Sequence, residues 1–238
     1  MGSRSNEQYI LLTDYDIHSA YSEAYRTLYA NICLDWHSDH AQAPQSQPQP
    51  AQCHTLLFTT PTPSASTEYA VVAANLAIVA AQSDTQTILV DANLRTPHLQ
   101  QRFGLTKSAG LAELLIEASV SPQEVASSLQ TTFVPGLRLL GAGIATEQAA
   151  NLMLSPKLEA VINSICCFLK KTETKTSIVI FHGPPALSGA DASLIGAQVE
   201  GTFLTITAGH TTRSQAKQAQ DQLEHAHVKL AGIIISDR

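Results

Sequence analysis

No lysine occurs before Lys107, and Pro61 to Glu68, the eight residues between two strongly apolar stretches, contain neither lysine nor glycine. A phosphate-cradling loop needs glycines so that successive backbone N–H groups converge, a lysine to neutralise the β/γ charge, and a hydroxyl for Mg²⁺. Two of these three are missing, so an ordinary loop of that kind is excluded at this place. Charge is scarce as well: 14% of residues are charged and the net charge is −6. That balance argues against a nucleic-acid partner, which calls for clustered Lys and Arg; Lys170, Lys171 and Lys175 read as a solvated helix end. No apolar run reaches the ~18–20 residues of a membrane-spanning helix, and Met1 to Asn6 opens no signal peptide. The chain is therefore expected to be soluble and cytoplasmic, with no segment inserted in a membrane. Cys33, Cys53, Cys166 and Cys167 show no C-x-x-C spacing and read as buried thiols rather than a disulfide or zinc site. His37 with His40, and His225 with His227, lack a third ligand, and no metal site is expected.

What is present is a regular alternation. Tyr21, Tyr25, Leu28 and Ile32 recur at helical spacing and define a first helix. A Pro/Gln-rich connector at about 38–53 follows, without apolar pattern. From Thr55 onward the pattern predicts strands at 55–60, 87–91, 137–141, 177–182, 202–207 and 229–235. Helices are predicted at 67–82, 97–103, 110–117, 121–128, 155–171, 189–198 and 213–226. Such alternation predicts an α/β fold of three layers, a mostly parallel sheet with helices on both faces. At 238 residues it fits one domain over 21–238, preceded by an N-terminal segment at 1–20.

The strand ends carry the chemistry. Ile88-Leu89-Val90-Asp91 delivers a carboxylate, followed by Asn93, Arg95 and Pro97, whereas Ser177 to His182 ends in histidine before Gly183-Pro184-Pro185. With the stretch Glu23-Ala24-Tyr25-Arg26-Thr27-Leu28-Tyr29-Ala30-Asn31, these motifs resemble the cytoplasmic domain of bacterial tyrosine kinases of the polysaccharide co-polymerase system. That family is a branch of the MinD/ParA-like P-loop proteins, and the resemblance runs from about Tyr21 to the C-terminus. It departs from the family at three catalytic elements, namely the lysine-free loop, Asn93 for the second aspartate of D-x-D-x-R-x-P, and His182 for the aspartate of D-x-P-P, and it has Tyr29 where the family's charged first-helix motif usually has a second arginine.

The resemblance implies a P-loop NTPase-like fold and a role in making or exporting extracellular or capsular polysaccharide. A membrane-anchored co-polymerase or an active tyrosine kinase is the partner it implies. Ser64, Ser66, Thr67, Glu68, Asp91, Asn93, Arg95 and His182 would line a degenerate nucleotide site, while Glu23, Arg26 and Tyr29 would form a face for homo-oligomerisation. From the three departures the expectation is a chain that is not an enzyme but a binding or regulatory subunit with no obligate cofactor. One alternative is a nucleotide-sensing switch that binds ADP or ATP weakly without turnover. A second is an enzyme of changed chemistry with His182 as general base, oriented by Asp91.

Overall fold

The computed structural model describes residues 11–14, 16–40, 52–63, 66–117, 119–144, 146, 148–170 and 176–236, with side chains for all of these except 37–40 and 66–69. Residues 1–10, most of the Pro/Gln-rich connector (41–51), Ser64, Lys171 and Lys175 lie outside the described residues. In chain order the strands are β1 (Gln52–Thr59), β2 (Gln86–Asp91), β3 (Leu129–Thr131), β4 (Leu137–Leu140), β5 (Thr176–His182), β6 (Gly201–Thr207) and β7 (Leu230–Ser236). The helices are α1 (Ala20–His40), α2 (Ser66–Gln82), α3 (Leu99–Arg102), α4 (Leu111–Ile116), α5 (Pro122–Ser128), α6 (Ala149–Met153), α7 (Lys157–Lys170), α8 (Asp191–Gly196) and α9 (Arg213–His225).

The seven strands order as β3-β4-β2-β5-β1-β6-β7, all parallel except β3, which pairs antiparallel with β4. Side chains alternate across the sheet with period two. Leu56 and Phe58 of β1, Leu89 of β2, and Ile178 and Ile180 of β5 join a core with α2 and the inner face of α1. Leu57, Ile88, Val90, Val179 and Phe181 face the opposite core, built with α4 to α8. Both faces of the central strands are thus apolar, which is why they read as unbroken Val/Ile/Leu runs. A third cluster, with Leu204, Ala219 and Leu223, seats α9 on β6. The three-layer architecture is the one the alternation predicts.

α1 runs to His40 and β1 starts at Gln52, so the connector is shorter at both ends than the expected 38–53. Leu11 and Leu12 are buried in the α2 core, and the Leu12 N–H donates to Asn75 Oδ1 at 2.8 Å. The expectation for the cysteines needs correction. Cys53 at the start of β1 and Cys166 in α7 are joined by a disulfide with a Cα–Cα distance of 5.6 Å, while Cys33 and Cys167 take no part in a disulfide. The partners are 113 residues apart and meet only when α7 packs over the sheet, so local spacing carries no sign of them. Among the described residues no helix is long and apolar enough to cross a membrane.

Tyr29 is the second correction. It lies in the core, 8% exposed, with its hydroxyl 2.6 Å from Thr85 Oγ1. It therefore does not share a surface with Glu23 and Arg26, which pair with one another on the outer side of α1; Arg26 also donates to the Ile17 carbonyl.

Candidate functional site at the carboxyl edge of the sheet

In a parallel sheet the strand carboxyl ends and the following helix amino termini share one edge, where α/β proteins bind ligands. β5 lies between β1 and β2, and the register sets His182 beside Phe58 on one side and beside Asp91 on the other. The Gly183-Pro184-Pro185 segment is then laced to the end of β1. Gly183 N–H donates to the Phe58 carbonyl at 2.9 Å, Thr59 Oγ1 to the Pro184 carbonyl at 2.7 Å, and Ala186 N–H to the Thr60 carbonyl at 2.7 Å. A Cβ at Gly183 would stand 2.6 Å from Leu57 Cδ1, so a larger residue there would oblige that leucine to shift.

Asp91 is fully buried. One carboxylate oxygen accepts the N–H groups of His98 (3.0 Å) and Leu99 (2.9 Å), and the other accepts that of Asn93 (3.3 Å). The carboxylate thereby caps α3 and shapes the turn after β2. Burial pushes its pKa up to about 6, against the pull of the Leu99, His98 and Asn93 N–H groups. Asn93 completes the turn: its side chain accepts from Thr96 N–H at 3.2 Å and donates to Thr96 Oγ1 at 3.0 Å. Asp91 offers the hard oxygen a Mg²⁺ ion would want, but its two oxygens already accept from three N–H groups. Among the described residues no group of three His, Cys, Asp or Glu side chains is arranged to hold a metal ion.

His182 departs from expectation. It is fully buried rather than set at an open strand end, and burial, then the charges of Arg102 and His98, lower its pKa to about 3. The ring is neutral at physiological pH and walled off from solvent. A general base has to reach its substrate, and in this structure the His182 ring presents no surface to one. His98 is likewise lowered, by burial and then by Arg102.

Arg95 reaches across to α8, where its Nε donates to Asp191 Oδ2 at 2.8 Å. Asp191 is buried, and its other oxygen has no partner among the described residues. This pair ties the turn after β2 to the amino terminus of α8. Neither Asp191 nor the buried Arg102 stands out in the sequence; an acidic residue at a helix start was the one available signal for Asp191. Ser66, Thr67 and Glu68 form the first turn of α2, at the edge where β1 ends, although their side chains are not described. The structure thus gathers Asp91, Asn93, Arg95 and His182 at one edge beside the start of α2. Chemically, that edge offers a helix amino terminus with its partial positive charge, a buried carboxylate and a fixed Arg–Asp pair.

Comparison with known proteins places this geometry. No family model matches the chain. The tyrosine-protein kinase YwqD of Bacillus subtilis (strain 168) is 30% identical over 237 residues, covering all of this chain and 89% of that protein. The tyrosine-protein kinase ptk of Acinetobacter johnsonii is 30% identical over 169 residues, 70% of this chain but 21% of that longer protein. Among solved structures, the chimerical protein CapA2B2 superposes with a TM-score of 0.77 at 22% identity, covering 96% of this chain and 89% of that one. The kinase domain of the Escherichia coli tyrosine kinase ETK gives 0.73 at 22% identity, covering 90% and 74%. The septum site-determining protein MinD of Pyrococcus horikoshii OT3, complexed with Mg-ADP, gives 0.58 at 16% identity, covering 77% and 70%. At these identities the structural matches speak for the fold alone.

These findings overturn the expectation that the chain is not an enzyme. Its relatives are tyrosine-protein kinases, one of them matched along the whole chain. A loop without lysine removes one cation from the edge; it does not by itself remove an activity that rests on positioning and charge drawn from several elements.

Proposed function

The chain belongs to the bacterial tyrosine-protein kinase family, and on that footing we propose that it serves extracellular or capsular polysaccharide production, docked on a membrane-anchored co-polymerase or on another tyrosine kinase. The observation that carries this reading is the 30% identity to a tyrosine kinase along the entire chain. Adenine nucleotide, ADP or ATP, is the ligand the reading assigns to the carboxyl edge. The start of α2, 17 residues long, supplies backbone N–H groups and dipole there. A helix terminus contributes only about 0.3–2 kcal/mol, well short of the roughly 4–5.5 kcal/mol of a dissociation constant of about 0.1–1 mM, so binding is weak, no tighter than that order, and rests on further contacts along the edge. The relatives' name sets the reaction to test at this edge: transfer of a phosphoryl group to tyrosine.

Self-association belongs to the same reading, through the outer side of α1 with Glu23 and Arg26. An exposed ion pair contributes only about 0–1 kcal/mol, so this contact is a weak one. The experiment is deletion of the gene in the native host, with purification of the tagged chain from membranes. Expected are reduced extracellular polysaccharide and a co-polymerase or kinase identified in the purified material by mass spectrometry. Unchanged polysaccharide together with neither partner contradicts the proposal.

A further inference from the structure

β7 is one edge of the sheet, and among the described residues no strand pairs with its outer side. Its sequence, Leu-Ala-Gly-Ile-Ile-Ile-Ser, carries no charge and no proline. Edge strands are ordinarily guarded by lysine, proline, a bulge or a covering element, because a row of unpaired N–H and C=O groups invites another strand. The guard here is slight. One residue, Ala231, is extra where the β6 register shifts between Thr202 and Phe203, and from Gly232 to Ser236 the strand pairs regularly. Ile233 and Ile235 lie on the α9 side, beside Leu204 and Ile206 of β6, yet α9 covers β6 and leaves them 54% and 71% exposed. On the other side Ile234 packs against the core that α1 and α2 share. The opposite edge of the sheet, β3, is three residues long and offers no match in length.

We propose that this edge is a docking surface for a second copy of the chain, with β7 pairing antiparallel to β7 of that copy about a two-fold axis. Such an axis makes the patch its own complement. Centred on Ile234, the pairing sets Gly232 against Ser236, and Ile233 against Ile235, of the second copy, so the two isoleucines left exposed in each chain cover one another. Centring on Ile233 instead would bring the extra residue Ala231 into the ladder. A charged partner gains nothing from a strand without charge. The net charge of −6 makes two copies repel at low ionic strength, so association rests on the apolar strand and not on charge. Five paired residues span about 17 Å, which puts the interface at the low end of specific ones, below about 1,200 Å² in total, and the dimer in the weak class. The contact is separate from Glu23 and Arg26 on the outer side of α1, and it does not rest on the reading of the carboxyl edge.

The test is sedimentation equilibrium of the whole chain at about 0.5 M NaCl, where exposed ion pairs and the repulsion between like net charges are screened. A monomer–dimer equilibrium is expected, with a dissociation constant on the order of 10–100 μM. Ile233→Lys and Ile235→Lys, both at exposed side chains, are each expected to weaken it at least about tenfold with circular dichroism unchanged. In the double variant Ile233→Lys/Ile235→Glu this register brings each introduced lysine opposite the introduced glutamate of the second copy. It is expected to associate several-fold more tightly than Ile233→Lys when both are measured at about 0.05 M NaCl. A chain that stays monomeric at about 200 μM, an association that neither single variant weakens, or growth into species larger than a dimer overturns the proposal. A double variant that associates no more tightly than Ile233→Lys overturns it as well.

Discussion

Asp91 and His182 stand side by side in the sheet, both fully buried, with pKa values moved in opposite senses by the same burial. Each shift has a consequence for stability that follows from linkage. Asp91 moves from 3.8 to about 6, so its folded form holds the proton more tightly than its unfolded form. The stability it contributes is present below pH 3.8 and is lost as pH rises through 6, about 3 kcal/mol at about 1.4 kcal/mol per pH unit. His182 moves from 6.5 to about 3, so its contribution is present above 6.5 and is lost as pH falls, about 5 kcal/mol in all. Between about pH 4 and 6 the two slopes are opposite and nearly equal, so each hides the other in the unaltered chain. Asp91→Asn keeps an oxygen for the His98 and Leu99 N–H groups and removes one slope. That variant is expected to lose about 3 kcal/mol between pH 6 and 4 relative to the unaltered chain, or roughly 6–12 °C in Tm. His182→Gln is expected to gain a similar amount over the same interval. Urea unfolding at each pH measures both, and groups common to all three proteins cancel in the differences. If Asp91→Asn follows the pH profile of the unaltered chain, the reasoning is refuted.

Arg95→Ala leaves Asp191 buried without its partner and is expected to cost about 2 kcal/mol, with part recovered in Arg95→Ala/Asp191→Asn; thermal unfolding of the single and double variants checks this. Tyr29→Phe is expected to cost about 1 kcal/mol for the lost bond to Thr85 and to leave the sedimentation profile unchanged. Glu23→Ala, at an exposed pair, is expected to cost under about 1 kcal/mol while shifting any self-association seen by ultracentrifugation. Thiol titration of the unfolded chain is expected to find two free thiols before reduction and four after it. Reduction, or Cys166→Ser, is expected to lower stability by about 2–4 kcal/mol.

The central strands were legible because burial on both faces leaves an unbroken apolar run: β5 was expected at 177–182 and spans Thr176–His182. β3 was not, since Leu129-Gln130-Thr131 has no pattern of its own and becomes a strand only by pairing with β4. α6, five residues long, is too short for its period to show. At the site, strand-end positions were enough to bring Asp91 and His182 together. The Arg95–Asp191 pair was hidden by a separation of 96 residues, and the burial of His182 by its place at a strand end, where exposure is the usual expectation. Tyr29 was misread from its position in a charged motif, although it lies four residues after Tyr25 and three before Ile32, on the apolar stripe itself. Reading the loss of a loop lysine as the loss of an activity was an error of a different kind. Composition reports which groups are missing from one loop and is silent on what the rest of an edge supplies.

Isothermal titration of Mg-ATP into the chain tests the central claim, that this is a tyrosine-kinase-family domain whose carboxyl edge takes adenine nucleotide. The account predicts saturable heat of binding at one site with a dissociation constant on the order of 0.1–1 mM. No saturable heat up to about 5 mM nucleotide would contradict it.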